Sequence, residues 1–178
     1  MKNNIRNKLT PQMVAYENLR HDWQPFLMYL HKPNFKSQFL NTDELGIRFT
    51  IKNQSHFSPN TPFKNLGEKV SLIVGGSTVF GVGATSDGNT IPSYLSQSNK
   101  LFLNFGARAF SCHQERILFD QLAFKLPKID EVIILSGLND LYLNFLIKDK
   151  NYFGNFFYSN EYNLNMNKSL KNKEQFFI

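Results

Sequence analysis

Three short apolar runs dictate most of what this chain can fold into. Val70-Ser71-Leu72-Ile73-Val74, Leu101-Phe102-Leu103-Asn104-Phe105 and Glu131-Val132-Ile133-Ile134-Leu135 have the length and the β-branched or aromatic content of buried strands. Each gives way to small residues carrying a polar group: Gly76-Ser77, Asn104-Phe105-Gly106 and Gly137-Leu138-Asn139. Helical patterns lie between them. Ile91 to about Ser98 is expected to be a helix with Thr90 as N-cap and Pro92 in its first turn. Ser111 opens a longer one to about Lys125, with Gln114 at capping-box spacing and Ile117, Leu118 and Leu122 on one face. Strands alternating with helices imply right-handed crossovers and a doubly wound parallel sheet, an α/β fold. Ligands in such a fold sit outside the carboxyl ends of the strands, so the three small-residue segments are expected to share one crevice.

The flanks read differently. Residues 1–66 are rich in aromatics and Asn, with turn signals at Lys32-Pro33-Asn34, Ser58-Pro59-Asn60 and Thr61-Pro62. They are expected to form an accessory segment laid on the α/β domain of residues 67–178. Within it, Pro11 to about His21 suits a short helix, and Asp22-Trp23-Gln24-Pro25-Phe26 reads as irregular but packed. After Phe145 the periodicity fades. Tyr152 to Tyr158 reads as an aromatic loop, a lid or substrate wall, and Lys168 to Ile178 carries no strand signal. The sheet is therefore expected to stop after its third strand.

Composition narrows the function classes. The net charge is +6, but the basic residues gather at the two ends of the 178-residue chain, as in solvated tails, so nucleic acid is not the expected partner. The one cysteine, Cys112, excludes an intrachain disulfide and any multi-cysteine metal site; a packing role at a helix start is expected for it. The first residues have no apolar core of a signal peptide, and no apolar stretch approaches a membrane span, which leads to the expectation of a cytoplasmic protein.

Gly75-Gly76-Ser77-Thr78-Val79-Phe80-Gly81 follows the first strand. A phosphate-binding P-loop needs Lys and Ser/Thr after its second glycine, where Val82 and Gly83 stand. A dinucleotide fingerprint lacks its third glycine. The elbow of α/β-hydrolases needs glycine two residues after the serine, where Val79 stands. Gly-x-Ser-x-x-x-Gly at a first strand instead resembles block I of the SGNH (GDSL-like) hydrolase superfamily, with Gly76 in place of the usual Asp. Asn104-Phe105-Gly106-Ala107-Arg108-Ala109-Phe110-Ser111 resembles block II, and Ser136-Gly137-Leu138-Asn139-Asp140 resembles block III. Asn41 to Arg48 is similar to an "Asn-x-x-Gly-Phe-Arg" lead-in found in many bacterial SGNH-like proteins, some of them in surface-polysaccharide pathways.

The resemblance covers about Asn41 to Phe157 and implies an SGNH-hydrolase/flavodoxin-like sheet and a serine esterase that needs no metal or organic cofactor. Ser77 would be the nucleophile. The Ser77 N–H, the Gly106 N–H and the Asn139 side-chain amide would form the oxyanion hole, while Asp140 would support the block III turn. The substrate would be a small-molecule, glycan or lipid ester. A deacetylase, a lipase-like enzyme, an acyltransferase acting on surface polysaccharide and a non-catalytic glycan- or acyl-binding module all remain compatible with these residues. The family's base, a histidine in an Asp-x-x-His motif, does not occur here, since no histidine follows His113. His21, His31, His56 and His113 each suit surface or packing roles. The chain is therefore expected to be a fragment of a longer enzyme, or else complete and catalytically crippled; as it stands it should show negligible turnover.

Overall fold

The structure, a computed structural model, describes residues 2–63, 69–146 and 156–174. Its centre is a parallel three-stranded sheet formed by β5 (Lys69–Gly75), β6 (Phe102–Gly106) and β7 (Lys128–Leu135) in the order β6-β5-β7. Ahead of it come α1 (Lys2–Leu9), α2 (Gln12–Asn18), an antiparallel hairpin of β1 (His21–Gln24) and β2 (Met28–His31), and a second hairpin of β3 (Thr50–Lys52) and β4 (Ser55–Phe57). The crossovers carry α3 (Ser77–Phe80), α4 (Ile91–Leu95) and α5 (Cys112–Leu122); α6 (Leu138–Leu146) and α7 (Ser159–Glu174) follow β7. Among the described residues no helix is long and apolar enough to cross a membrane.

The central position of β5 follows from its sequence. Val70 to Gly75 are all buried, as a strand covered on both faces requires. Its register pairs Gly75 with Gly106 on one side and with Leu135 on the other, so all three strands finish level at one edge. The helices start where their caps stand. The Thr90 hydroxyl accepts the Ser93 N–H (3.4 Å) with Pro92 in the first turn. Gln114 accepts the Ser111 N–H (3.2 Å) and donates to the Leu27 carbonyl (2.8 Å).

The N-terminal segment is part of the core. Leu27, Tyr29, Leu30 and Ile47 pack in one cluster with Leu72, Val74, Phe105, Phe110 and Leu118. The expected boundary at residue 66 falls among residues 64–68, outside the described ones. The expected Pro11–His21 helix is shorter, and His21 begins a strand. The irregular 22–26 stretch belongs to the β1–β2 hairpin, where Phe26 (φ 65°) in the connection and Met28 (φ 70°) at the start of β2 take left-handed conformations. Most of the expected aromatic loop, residues 152–155, lies outside the described residues, while residues 159–174 form α7.

The lead-in from Asn41 to Arg48 takes a tight path. Asp43 Oδ1 accepts the N–H groups of Leu45 (2.9 Å) and Ile47 (2.8 Å), and Gly46 turns at φ 88° directly against the His31 carbonyl. Arg48 is thereby carried into the interior, where it is fully buried. Its Nε donates to Asp87 Oδ1 (2.8 Å), Nη1 to the Tyr16 hydroxyl (2.7 Å) and the Gly81 carbonyl (2.8 Å), and Nη2 to the Phe39 carbonyl (2.9 Å). Asp87 in turn accepts the backbone N–H (3.2 Å) and side-chain amide (2.7 Å) of Asn41. A buried ion pair is tolerable only when its hydrogen-bonding groups are satisfied in this way.

Candidate active site

Ser77 is the first residue of α3, directly beyond β5. The turn that presents it is fixed at its far end: the Gly81 N–H, at φ 87°, donates to the carbonyls of Ser77 (3.0 Å) and Thr78 (3.1 Å). The Arg48 bond to the Gly81 carbonyl holds the same turn from behind. A pocket of about 170 Å³ opens beside the serine, lined by Gly76, Ser77, Phe110, Glu115, Ser136 and Asn139 among others. Ser77 itself is half-buried, so its hydroxyl is not lost in the interior.

Asn139 reaches this pocket from the first turn of α6. Its Nδ2 donates to the Phe110 carbonyl (2.8 Å) and stands 3.1 Å from where a Cβ on Gly76 would be. One of the two amide hydrogens is thus used by the protein. Asp140 points the other way and accepts the Cys112 N–H with both oxygens (3.1 and 3.0 Å), which caps α5 from a neighbouring element. Cys112 does start a helix, as expected, but it is exposed rather than packed, and the neighbouring Asp140 carboxylate pushes its thiol pKa up.

Gly106 does not join the site. Its N–H donates to Asn104 Oδ1 (2.8 Å), it is buried, and it is not among the pocket's lining residues. The expectation that it serves as an oxyanion donor is corrected on that ground. Its lack of a side chain has another cause: a Cβ there would fall 2.6 Å from the Val79 carbonyl carbon and collide with the backbone of Phe80. The glycine lets α3 lie directly on β6. The loop from β6 meets the pocket further along, at Phe110, after a left-handed turn at Ala109 (φ 59°).

No family model and no curated protein matches this chain.

None of the four histidines lines the Ser77 pocket. His31 is buried, with Nδ1 3.2 Å from the Gly46 carbonyl and Nε2 accepting the Arg108 N–H (3.1 Å). That arrangement suits the neutral ring, and burial holds its pKa well below the usual value. His21 is lowered to about 4 by burial and the adjacent Arg108. His56 lies on β4 and His113 on α5, both exposed. A larger depression of about 520 Å³, lined by Tyr16, His21, Trp23, Arg108 and Tyr158 among others, includes neither Ser77 nor Asn139.

Glu115 was not singled out by the sequence reading. It is buried in the pocket wall, and burial raises its pKa. The signal was present: Glu115, Leu118 and Leu122 share the buried face of α5, where a carboxylate is out of place.

Proposed function

We propose that Ser77 is the nucleophile of an SGNH-type serine esterase, acting on an acyl ester through an acyl-serine intermediate. One observation carries the reading. A serine at the end of the central strand and an asparagine amide at the end of its neighbour line the same small pocket. Attack of the Ser77 hydroxyl on an ester carbonyl creates an oxyanion, which needs preorganised donors in a site shielded from water. The Ser77 N–H at the start of α3 and the second hydrogen of the Asn139 amide are the donors this pocket offers. Collapse of the tetrahedral intermediate expels the alcohol and leaves the acyl group on Ser77, to be taken up by water or by a second alcohol.

No histidine lines the pocket wall among the described residues. This favours a second reading, a non-catalytic module that retains the crevice for a glycan or acyl group. An arylboronic acid separates the two, because it forms a tetrahedral anion on a reactive serine without requiring turnover. The esterase reading expects an adduct at Ser77 that Ser77→Ala abolishes and Asn139→Ala weakens about 100-fold, the scale of one oxyanion donor. Equal binding by Ser77→Ala refutes it. With a short-chain aryl ester, the expected turnover of this chain alone is negligible.

A further inference from the structure

The loop between β6 and α5 reaches the Ser77 pocket at Phe110, and Phe110 touches both halves of the site. Its carbonyl accepts from Asn139 Nδ2 (2.8 Å) and stands 3.8 Å from where a Cβ on Gly76 would be. The two hydrogens of a side-chain amide lie in one plane. With one of them committed to Phe110, the direction of the other, which is offered to an oxyanion, follows from where that carbonyl points.

Phe110 comes directly after an unfavourable turn. Ala109 has φ 59°, a left-handed conformation that glycine takes freely and a residue with a Cβ takes at a cost. Such a conformation persists only where its surroundings hold it. The holding groups come from β2, far upstream in the chain. The Tyr29 hydroxyl donates to the Ala109 carbonyl (2.6 Å), and His31 Nε2 accepts the Arg108 N–H (3.1 Å). The Tyr29 ring also meets the Phe110 ring edge-on, with centroids 5.5 Å apart. Tyr29 and His31 alternate along the strand, so they share one face of it, and both are buried. Burial pushes the Tyr29 pKa up, so its hydroxyl remains a donor at ordinary pH.

We propose that Tyr29 is a positioning residue of the Ser77 site, holding the left-handed turn at Ala109 so that the Phe110 carbonyl orients the Asn139 amide. The inference rests on the Ser77 reading. Oxyanion donors must be held within about 0.5 Å and 10–20° of the productive geometry. Leu143 is the one buried residue of α6, so packing of that helix does little to fix the amide it carries. The reference comes instead from the opposite, well-packed side. Hydroxyl meets the Ala109 carbonyl, the next peptide presents the Phe110 carbonyl, and the amide donates to it. The N-terminal hairpin thus has a task in the site as well as in the core.

The test uses the full chain and phenylboronic acid, with the NMR shifts of the Asn139 side-chain amide protons as a readout that needs no adduct. Tyr29→Phe keeps the ring and removes only the hydroxyl. It is expected to weaken the adduct about tenfold, the scale of one buried hydrogen bond, and to move both amide shifts. Adding Ala109→Gly, which takes the turn without strain, is expected to recover about threefold of that loss. Ser96→Ala is the structural control: it removes an equally buried hydroxyl, bonded to the Pro92 carbonyl (2.7 Å) and outside the pocket lining. Its adduct is expected to stay within about twofold of wild type, with the Asn139 shifts unmoved. Should Tyr29→Phe not fold alone, it is compared in the Ala109→Gly background, where the Asn139 shifts must still move. The proposal is overturned if Tyr29→Phe leaves adduct and shifts unchanged, if Ser96→Ala is as damaging, or if Ala109→Gly recovers nothing. Absence of any wild-type adduct removes the Ser77 reading instead, and the amide shifts then decide alone whether Tyr29 orients Asn139.

Discussion

The two sides of the central sheet are built from the same kind of sequence and meet different fates. Along β5 and β6, Val70 to Gly75 and Phe102 to Gly106 are all buried beneath α5 and the N-terminal hairpin. β7 is no less apolar, yet Ile134 is 73% exposed, and on α6 Phe145 is 81% exposed. Apolar patterning thus shows that a strand is fit for burial, while burial itself depends on what arrives to cover it. The Ser77 pocket straddles the divide. Its serine is fixed by the covered side, whereas Asn139 comes from the bare one.

The largest consequence should appear where the covered side depends on a buried charge. Arg48→Ala is expected to cost about 3–5 kcal/mol in urea unfolding, because Asp87 would be left buried without its partner. A cost under about 1 kcal/mol would mean that the clamp behind Ser77 is dispensable. A matched pair sharpens the contrast further. Leu72→Ala, at a fully buried position on β5, should cost about 2–5 kcal/mol, and Ile134→Ala on β7 should cost under about 1 kcal/mol. Equal losses would show that β7 is covered in solution.

The smallest effect is one of pH and belongs to the covered side. His21 and His31 both resist protonation in the fold, His21 down to about 4 from the usual 6.5. Below about pH 6.5 the unfolded chain therefore binds more protons than the native one. Stability should be full above that value and decline progressively as the pH falls toward 4. Stability curves at pH 7 and 5 compared between wild type and His21→Gln test this, with a shallower decline expected for the variant.

How much of this could be read beforehand varied with the kind of signal. The three strands, α4 and α5 were legible because apolar runs, N-caps and strand-ending glycines all agreed. The β1–β2 hairpin was not, since its turn uses Phe26 and Met28 at positive φ in place of glycine or asparagine. α7 escaped notice because its Asn- and Lys-rich sequence offers no clear apolar stripe. In the site, Ser77 and Asn139 were legible as polar residues at strand ends. Gly106 misled because a glycine beside a site has two explanations, and only coordinates reveal the α3 backbone lying against it. Glu115 was passed over because a charged residue at a helix start ordinarily reads as solvated.

The anchoring of Arg48 against Gly81 bears on how portable the Ser77 pocket is. A designer who moved only the glycine-serine turn and its two companion loops onto another α/β scaffold would leave behind the back support that sets the serine's angle. The smallest transplantable unit reaches back to Asn41, more than thirty positions upstream of the hydroxyl it serves.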